Sequence, residues 1–196
     1  MHYDVIVIGA GIAGLVTANR AAQLGLRAVV LEKSTDFLIG YALAFSAAGA
    51  DGLIMAEPAA GLLSPRGLAA FSSAYVRRIA TALEGRPFTI ILHNCGAKRP
   101  HLPAILATGL KTFHFGAPMD IVAALDRVPK DVVLCGNLDP TSVFVQLPPH
   151  ETAARTRALL AATASHRNFV ISSGCDIPPT APLANLDAFF EAVTGL

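Results

Sequence analysis

A parallel α/β fold is the class this chain predicts, and three observations carry it. The first is the run from Tyr3 to Ile8, β-branched and without alternation, which is the pattern of a strand covered on both faces. The second is its sequel. A glycine-rich turn (Gly9 to Gly14) leads into an alanine-rich helical stretch that Gly25 stops after Leu24, and Arg27 to Leu31 forms another strand, closed by Glu32. The third is that the alternation persists: strand candidates at 52–56, 88–92, 111–115, 131–135 and 168–172 are each followed by a helix or helix-like segment. Helical patterns run from Pro65 to Leu83, Met119 to Arg127, Pro149 to Ala164 and Asn185 to Val193. Strands separated by helices imply parallel pairing through right-handed crossovers. The expected architecture is one Rossmann-like β-α-β unit at 1–40, followed by about five β/α units at 41–196.

Composition excludes whole classes of function. Of 196 residues, 53% are hydrophobic and 15% charged, so the chain can fill a core and is not disordered. Fifteen basic against 14 acidic residues give a formal charge of +1, and the basic residues are scattered, which predicts no nucleic-acid partner and no anionic membrane surface. The charge-free stretch from Phe37 to Ala50 is about 14 residues where a membrane span needs roughly 20, so it is expected to be buried in the fold. Asp4 interrupts the first apolar run, no signal peptide is read there, and the expected location is the cytoplasm. Three cysteines, Cys95, Cys135 and Cys175, are an odd count, which favours thiols or metal ligands over a disulfide framework.

The front of the chain carries a dinucleotide-binding fingerprint. Gly9, Gly11 and Gly14 follow a strand and open a helix, and Glu32 ends the next strand. The glycines let backbone amides approach a pyrophosphate at the helix N-terminus, and Glu32 is placed for a ribose hydroxyl. Residues 3–36 resemble the opening of FAD-dependent oxidoreductases of the fumarate reductase and ketosteroid dehydrogenase type. That resemblance implies FAD as a cofactor. The fingerprint supplies only the pyrophosphate and ribose contacts, however, and no later flavin-contacting motif follows, so no bound flavin is expected.

In parallel α/β folds, chemistry collects beyond the carboxyl ends of the strands. Here those ends read Glu57-Pro58, His93-Asn94-Cys95-Gly96, the strand bearing His114, Gly136 to Pro140 through Asp139, and Ser173 to Asp176 through Cys175. His93 and Cys95, two residues apart at a strand end, lie on the same side of the chain. Cys175 follows a later strand that a curved sheet would bring to the same rim. One imidazole and two thiolates form a Cys2His set for Zn2+ with a fourth position open, the arrangement of catalytic rather than structural sites. The alternative is that these are buried free cysteines. Cys135, inside an apolar run, is expected to be packing. Glu57 is a candidate fourth ligand or acid/base group, with a solvated rim carboxylate as the alternative. His114 is a candidate substrate contact, with a satisfied core histidine as the alternative, and Asp139 completes the candidate catalytic set.

From about Ala42 to the C-terminus the chain resembles the C-terminal part of the uroporphyrinogen decarboxylase superfamily, and within it the zinc-dependent methylcobamide:coenzyme M and related corrinoid methyltransferases. The segments that carry the resemblance are Ala48 to Pro58, His93 to Gly96, Cys135 to Pro140 and Ser173 to Pro179, with Asn185-Leu186 opening the last helix. It implies a partial TIM-type (β/α)8 barrel, zinc on His93, Cys95 and Cys175, and methyl transfer from a methylcorrinoid to a small thiol. The methyl donor would be a corrinoid protein or free methylcobamide. The family's decarboxylases work without metal, using arginines and an aspartate from the N-terminal part of the barrel. An incomplete barrel would leave open sheet edges, for which self-association as a homo-oligomer is expected. A truncated FAD-dependent oxidoreductase and a non-catalytic fusion fragment stand as the other readings.

Overall fold

The computed structural model describes the backbone of residues 5–8, 28–31 and 34 and, with side chains, residues 35–195. Gly9, Gly11, Gly14 and Glu32 lie outside the described residues, as does the helical stretch expected before Gly25. The chain forms two compact units, residues 1–91 with 100–110 and residues 92–99 with 111–196. Seven strands are described in two sheets, one of two strands and one of five parallel strands.

In the first unit, β1 (Val5–Ile8) and β2 (Ala28–Leu31) pair in parallel, Val5 opposite Ala28 through Ile8 opposite Leu31. Helix α1 (Ser34–Ala47) and β3 (Gly52–Ala56) follow. The helical pattern expected from Pro65 to Leu83 is broken into α2 (Pro65–Leu68), a π turn (Ala69–Ser73) and α3 (Ala74–Ala82). Ser64 starts it by accepting a hydrogen bond from the Gly67 amide at 3.1 Å, with Pro65 in the first helical turn, where no N–H is needed. Ala42 of α1 joins Ile79, Leu83 and Ile90 in a core, against which Leu53, Met55, Phe88 and Leu110 pack. Helix α4 (Leu102–Leu106) belongs to the same unit.

Burial of the Phe37–Ala50 stretch needs correction. It is mainly the helix α1, whose Ala42 is buried, but whose Phe37 and Tyr41 are 68% and 53% exposed, with the two rings stacked at 5.9 Å. The helix is apolar on every side, and one core can cover only one of those sides.

Strand β4 (Thr89–Asn94) is divided between the units. Its end opens the second unit, which continues through β5 (Thr112–Phe115), α5 (Ile121–Leu125), β6 (Val133–Leu138), a π turn (Ser142–Gln146), α6 (Pro149–Thr163), β7 (Phe169–Ser173) and α7 (Leu183–Thr194). The strand order β3-β4-β5-β6-β7 follows the chain without reversal, as in a (β/α) barrel and unlike a doubly wound sheet. Registers in the second unit pair Thr112 with Val133 and Leu134 with Phe169. One side of β5 buries Phe113 and Phe115 completely, and by alternation His114 faces the other side. Helices α6 and α7 meet through Ala153, Ala188 and Ala192, whose small side chains allow close approach. Phe144 and Phe189 fill the space beside Leu138 and Val143.

Both β4 and β6 extend past the ends expected for them, because polar residues continue the ladder there. In β6, Asn137 spends its amide group on the Gly116 and Met119 carbonyls, at 3.1 and 2.6 Å.

Candidate metal centre

Three side chains converge in the second unit. His93 is the penultimate residue of β4, Cys95 follows its end, and Cys175 lies two residues past β7. His93 Nε2 is 2.8 Å from Cys95 Sγ and 3.6 Å from Cys175 Sγ, and the two sulfurs are 3.3 Å apart. All three ligand atoms lie within 4.8 Å of one another. Two steps along a strand return a side chain to the same side, which is why His93 and Cys95 meet. Cys175 arrives by tertiary folding alone.

The donor set fits zinc. Bond lengths of about 2.0 Å to nitrogen and 2.3 Å to sulfur in a tetrahedron place ligand atoms roughly 3.5 to 3.8 Å apart. The His93–Cys175 separation is already of that size, and Cys95 need retreat by less than about 1 Å. Cys135 is outside the cluster: it is buried within β6, opposite His114 and Val170, and its thiol is pushed up by burial.

Electrostatics separates the Cys95 thiol from an activated nucleophile. A reactive thiol has its pKa lowered by nearby positive charge. Cys95 is instead raised to about 11, first by burial, then by its hydrogen bond with Cys175 and by the negative charges of Cys175 and Asp176. A cation is what would ionise it. His93 is lowered by burial, against the pull of its bond with His114 and of Asp176. It is therefore neutral at pH 7, as a ligand must be.

The glycines around the cluster are packing requirements. A Cβ on Gly116 would land on the Cys95 carbonyl oxygen, and one on Gly174 would stand 2.8 Å from the Ala117 amide nitrogen. The loops bearing the two cysteines each pack this closely against the turn after β5, at 116–117, only because those positions lack side chains.

The other candidate residues have different places. His114 touches the cluster through His93, its Nδ1 lying 2.6 Å from His93 Nδ1. Asp139 Oδ1 accepts from the Thr141 and Ser142 amides at 3.0 and 2.6 Å, which opens the π turn and holds its carboxyl below the usual range. Glu57 lies in the first unit, where the Ser72 hydroxyl donates to its carboxylate. Two participants were not singled out from sequence. Asp176 acts electrostatically on His93, Cys95 and His114, and its place beside Cys175 is a signal that was available. Ser172 reaches His114 across the sheet, for which no local signal exists.

Residues 22–196 match the family described as Uroporphyrinogen decarboxylase (URO-D). The chain belongs to that family. The match begins about 20 residues ahead of Ala42 and includes α1. Among curated relatives, the uroporphyrinogen decarboxylase of Proteus mirabilis is 31% identical over 169 residues, 84% of this chain and 46% of that protein. The methylcobamide:CoM methyltransferase MtbA of Methanosarcina acetivorans is 27% identical over 164 residues, 83% of this chain and 47% of that protein. The chain thus spans about half the length of the curated relatives it matches. A solved methyltransferase from Methanosarcina mazei superposes with a TM-score of 0.75 at 22% identity, covering 97% of this chain and 58% of that one, which establishes likeness of fold. No helix among the described residues is long and apolar enough to cross a membrane.

Proposed function

We propose that this chain is a zinc-dependent methyltransferase of the family, moving a methyl group from a methylcorrinoid to a small thiol. Similarity to family members named for decarboxylation and for methyl transfer is comparable, so the family alone does not choose between the two. The observation that carries the reading is the convergence of His93, Cys95 and Cys175.

His93, Cys95 and Cys175 are the residues that would hold the ion, three protein ligands that leave a position for an exchangeable group. When bound, zinc supplies the Lewis acidity that lets a thiol ionise at neutral pH. His93 contributes an unprotonated nitrogen, which burial keeps neutral. Cys95 and Cys175 lose their protons on metal binding, so affinity for the ion falls as pH falls. The methyl donor in this reading is a corrinoid protein or free methylcobamide, by analogy with the printed activity of the Methanosarcina relative.

The test is to load the purified chain with zinc, offer methylcobamide with a small thiol, and follow loss of the methylcorrinoid spectrum. Transfer that disappears in Cys175→Ala supports the reading. A chain that retains no zinc, or one that decarboxylates a porphyrinogen and leaves methylcobamide untouched, overturns it.

A further inference from the structure

Behind the ligand triad a chain of hydrogen bonds runs away from the two thiols. His93 Nδ1 meets His114 Nδ1 at 2.6 Å, and His114 Nε2 meets both the Ser173 carbonyl oxygen and Ser172 Oγ at 2.9 Å. Ser172 Oγ in turn donates to the Ser173 carbonyl at 3.0 Å. The far end decides where the protons lie. A carbonyl oxygen only accepts, and the Ser172 hydroxyl has given its proton to that same carbonyl, so His114 Nε2 must carry a hydrogen. In a neutral ring the other nitrogen is then a bare acceptor. At about pH 8, above the ordinary imidazole range near 6.5, the His114 ring is neutral. His93 must therefore donate from Nδ1, which leaves His93 Nε2 bare and facing the two sulfurs.

We infer that His114 is a positioning residue: it holds His93 in the tautomer and ring orientation that present an unprotonated Nε2 to Cys95 and Cys175. Partners of this kind fix ligating histidines in metal proteins, commonly as carboxylates or backbone carbonyls. Here a second imidazole fills that place and passes the anchoring on to the backbone at Ser173. His114 can do so because its strand neighbours Phe113 and Phe115 are buried on the other face, so alternation turns His114 toward His93. The purpose of the arrangement rests on the zinc reading; its geometry does not.

Two measurements keep these apart. Nitrogen-15 NMR of the histidine rings, on the metal-free chain at about pH 8, reads the tautomer directly. The expected result is a protonated Nδ1 and bare Nε2 on His93, with the reverse on His114. In His114→Leu, which removes the acceptor, the His93 proton is expected to redistribute to Nε2, while in His114→Asn, whose amide oxygen can accept from Nδ1, it stays. An Nε2-protonated His93 in the unaltered chain, or an unchanged tautomer in His114→Leu, overturns the inference. Cobalt(II) titration followed by visible absorption tests the link to metal. His114→Leu should weaken cobalt binding by roughly 10- to 100-fold and shift the ligand-field bands, and His114→Asn should recover most of that loss. Equal affinity and identical spectra in all three proteins would overturn the role toward the metal. If the unaltered chain binds no cobalt while its His93 tautomer is as expected, the zinc reading fails and the tautomer assignment stands.

Discussion

His93 and His101 are withdrawn from solvent to almost the same degree, 8% and 7% exposed, and differ in what their rings meet. In the first unit, His101 Nε2 bonds the Leu63 carbonyl at 2.9 Å and ties the start of α4 to the chain before α2. In the second unit, the His93 ring has a second histidine at Nδ1 and two thiols at Nε2. Burial marks neither as functional. The distinction lies in whether a ring nitrogen faces atoms that could share an ion with it.

Metal content should break or confirm this contrast most sharply. His93→Ala, Cys95→Ala and Cys175→Ala are each expected to reduce zinc from stoichiometric to near nothing, whereas His101→Ala and Cys135→Ala retain it. Elemental analysis of purified protein checks this, and equal loss in Cys135→Ala would end the assignment. Gly116→Ala removes no ligand, yet is expected to impair binding severely because its new Cβ collides with the Cys95 carbonyl. Cobalt spectra would show it, and an unperturbed spectrum would mean that the loop relaxes freely.

Stability should show the reverse ranking for the two histidines. His101→Ala leaves the Leu63 carbonyl without its ring partner and is expected to cost about 1–3 kcal/mol with zinc retained, read from urea unfolding. A cost within about 0.5 kcal/mol would place His101 among ordinary surface substitutions. Asp139→Ala should cost about 1 kcal/mol through loss of its turn-opening bonds, again without effect on metal content. Metal loss in that variant would instead tie Asp139 to the site.

The smallest effect is expected in pH dependence. Burial lowers both His93 and His114 from 6.5, so as pH falls below about 6.5 the unfolded chain takes up protons before the native rings do. Metal-free protein should therefore lose stability from that point downward and level off once the native rings protonate, with no slope from these groups above it. Urea midpoints at about pH 7.5 and 5.5 measure the loss. His93→Ala combined with His114→Asn should flatten part of it, and an unchanged slope would assign the dependence to other groups.

Much of this was legible in the sequence because it depends on near neighbours. Apolar runs closed by glycine and polar residues identified the five strands of the larger sheet. Two-residue spacing put His93 and Cys95 on one side of the chain, and the apolar surroundings of Cys135 marked it as packing. Its place after a later strand, and then resemblance to a family, joined Cys175 to them across some 80 residues of chain. What could not be read depends on where separate segments come to rest. Asp139 has the residue type of a catalytic acid but is committed to two backbone amides. The stretch from Phe37 has the composition of a core segment, yet its helix has more apolar sides than its core can cover. Strand register brings His114 level with Cys135 and Cys135 level with Val170, which leaves Ser172 and Ser173 to meet the His114 ring. Side-chain alternation is set by covalent geometry within a few residues. Which lone pair faces which proton is set by the packing of the whole sheet, and only tertiary structure decides that.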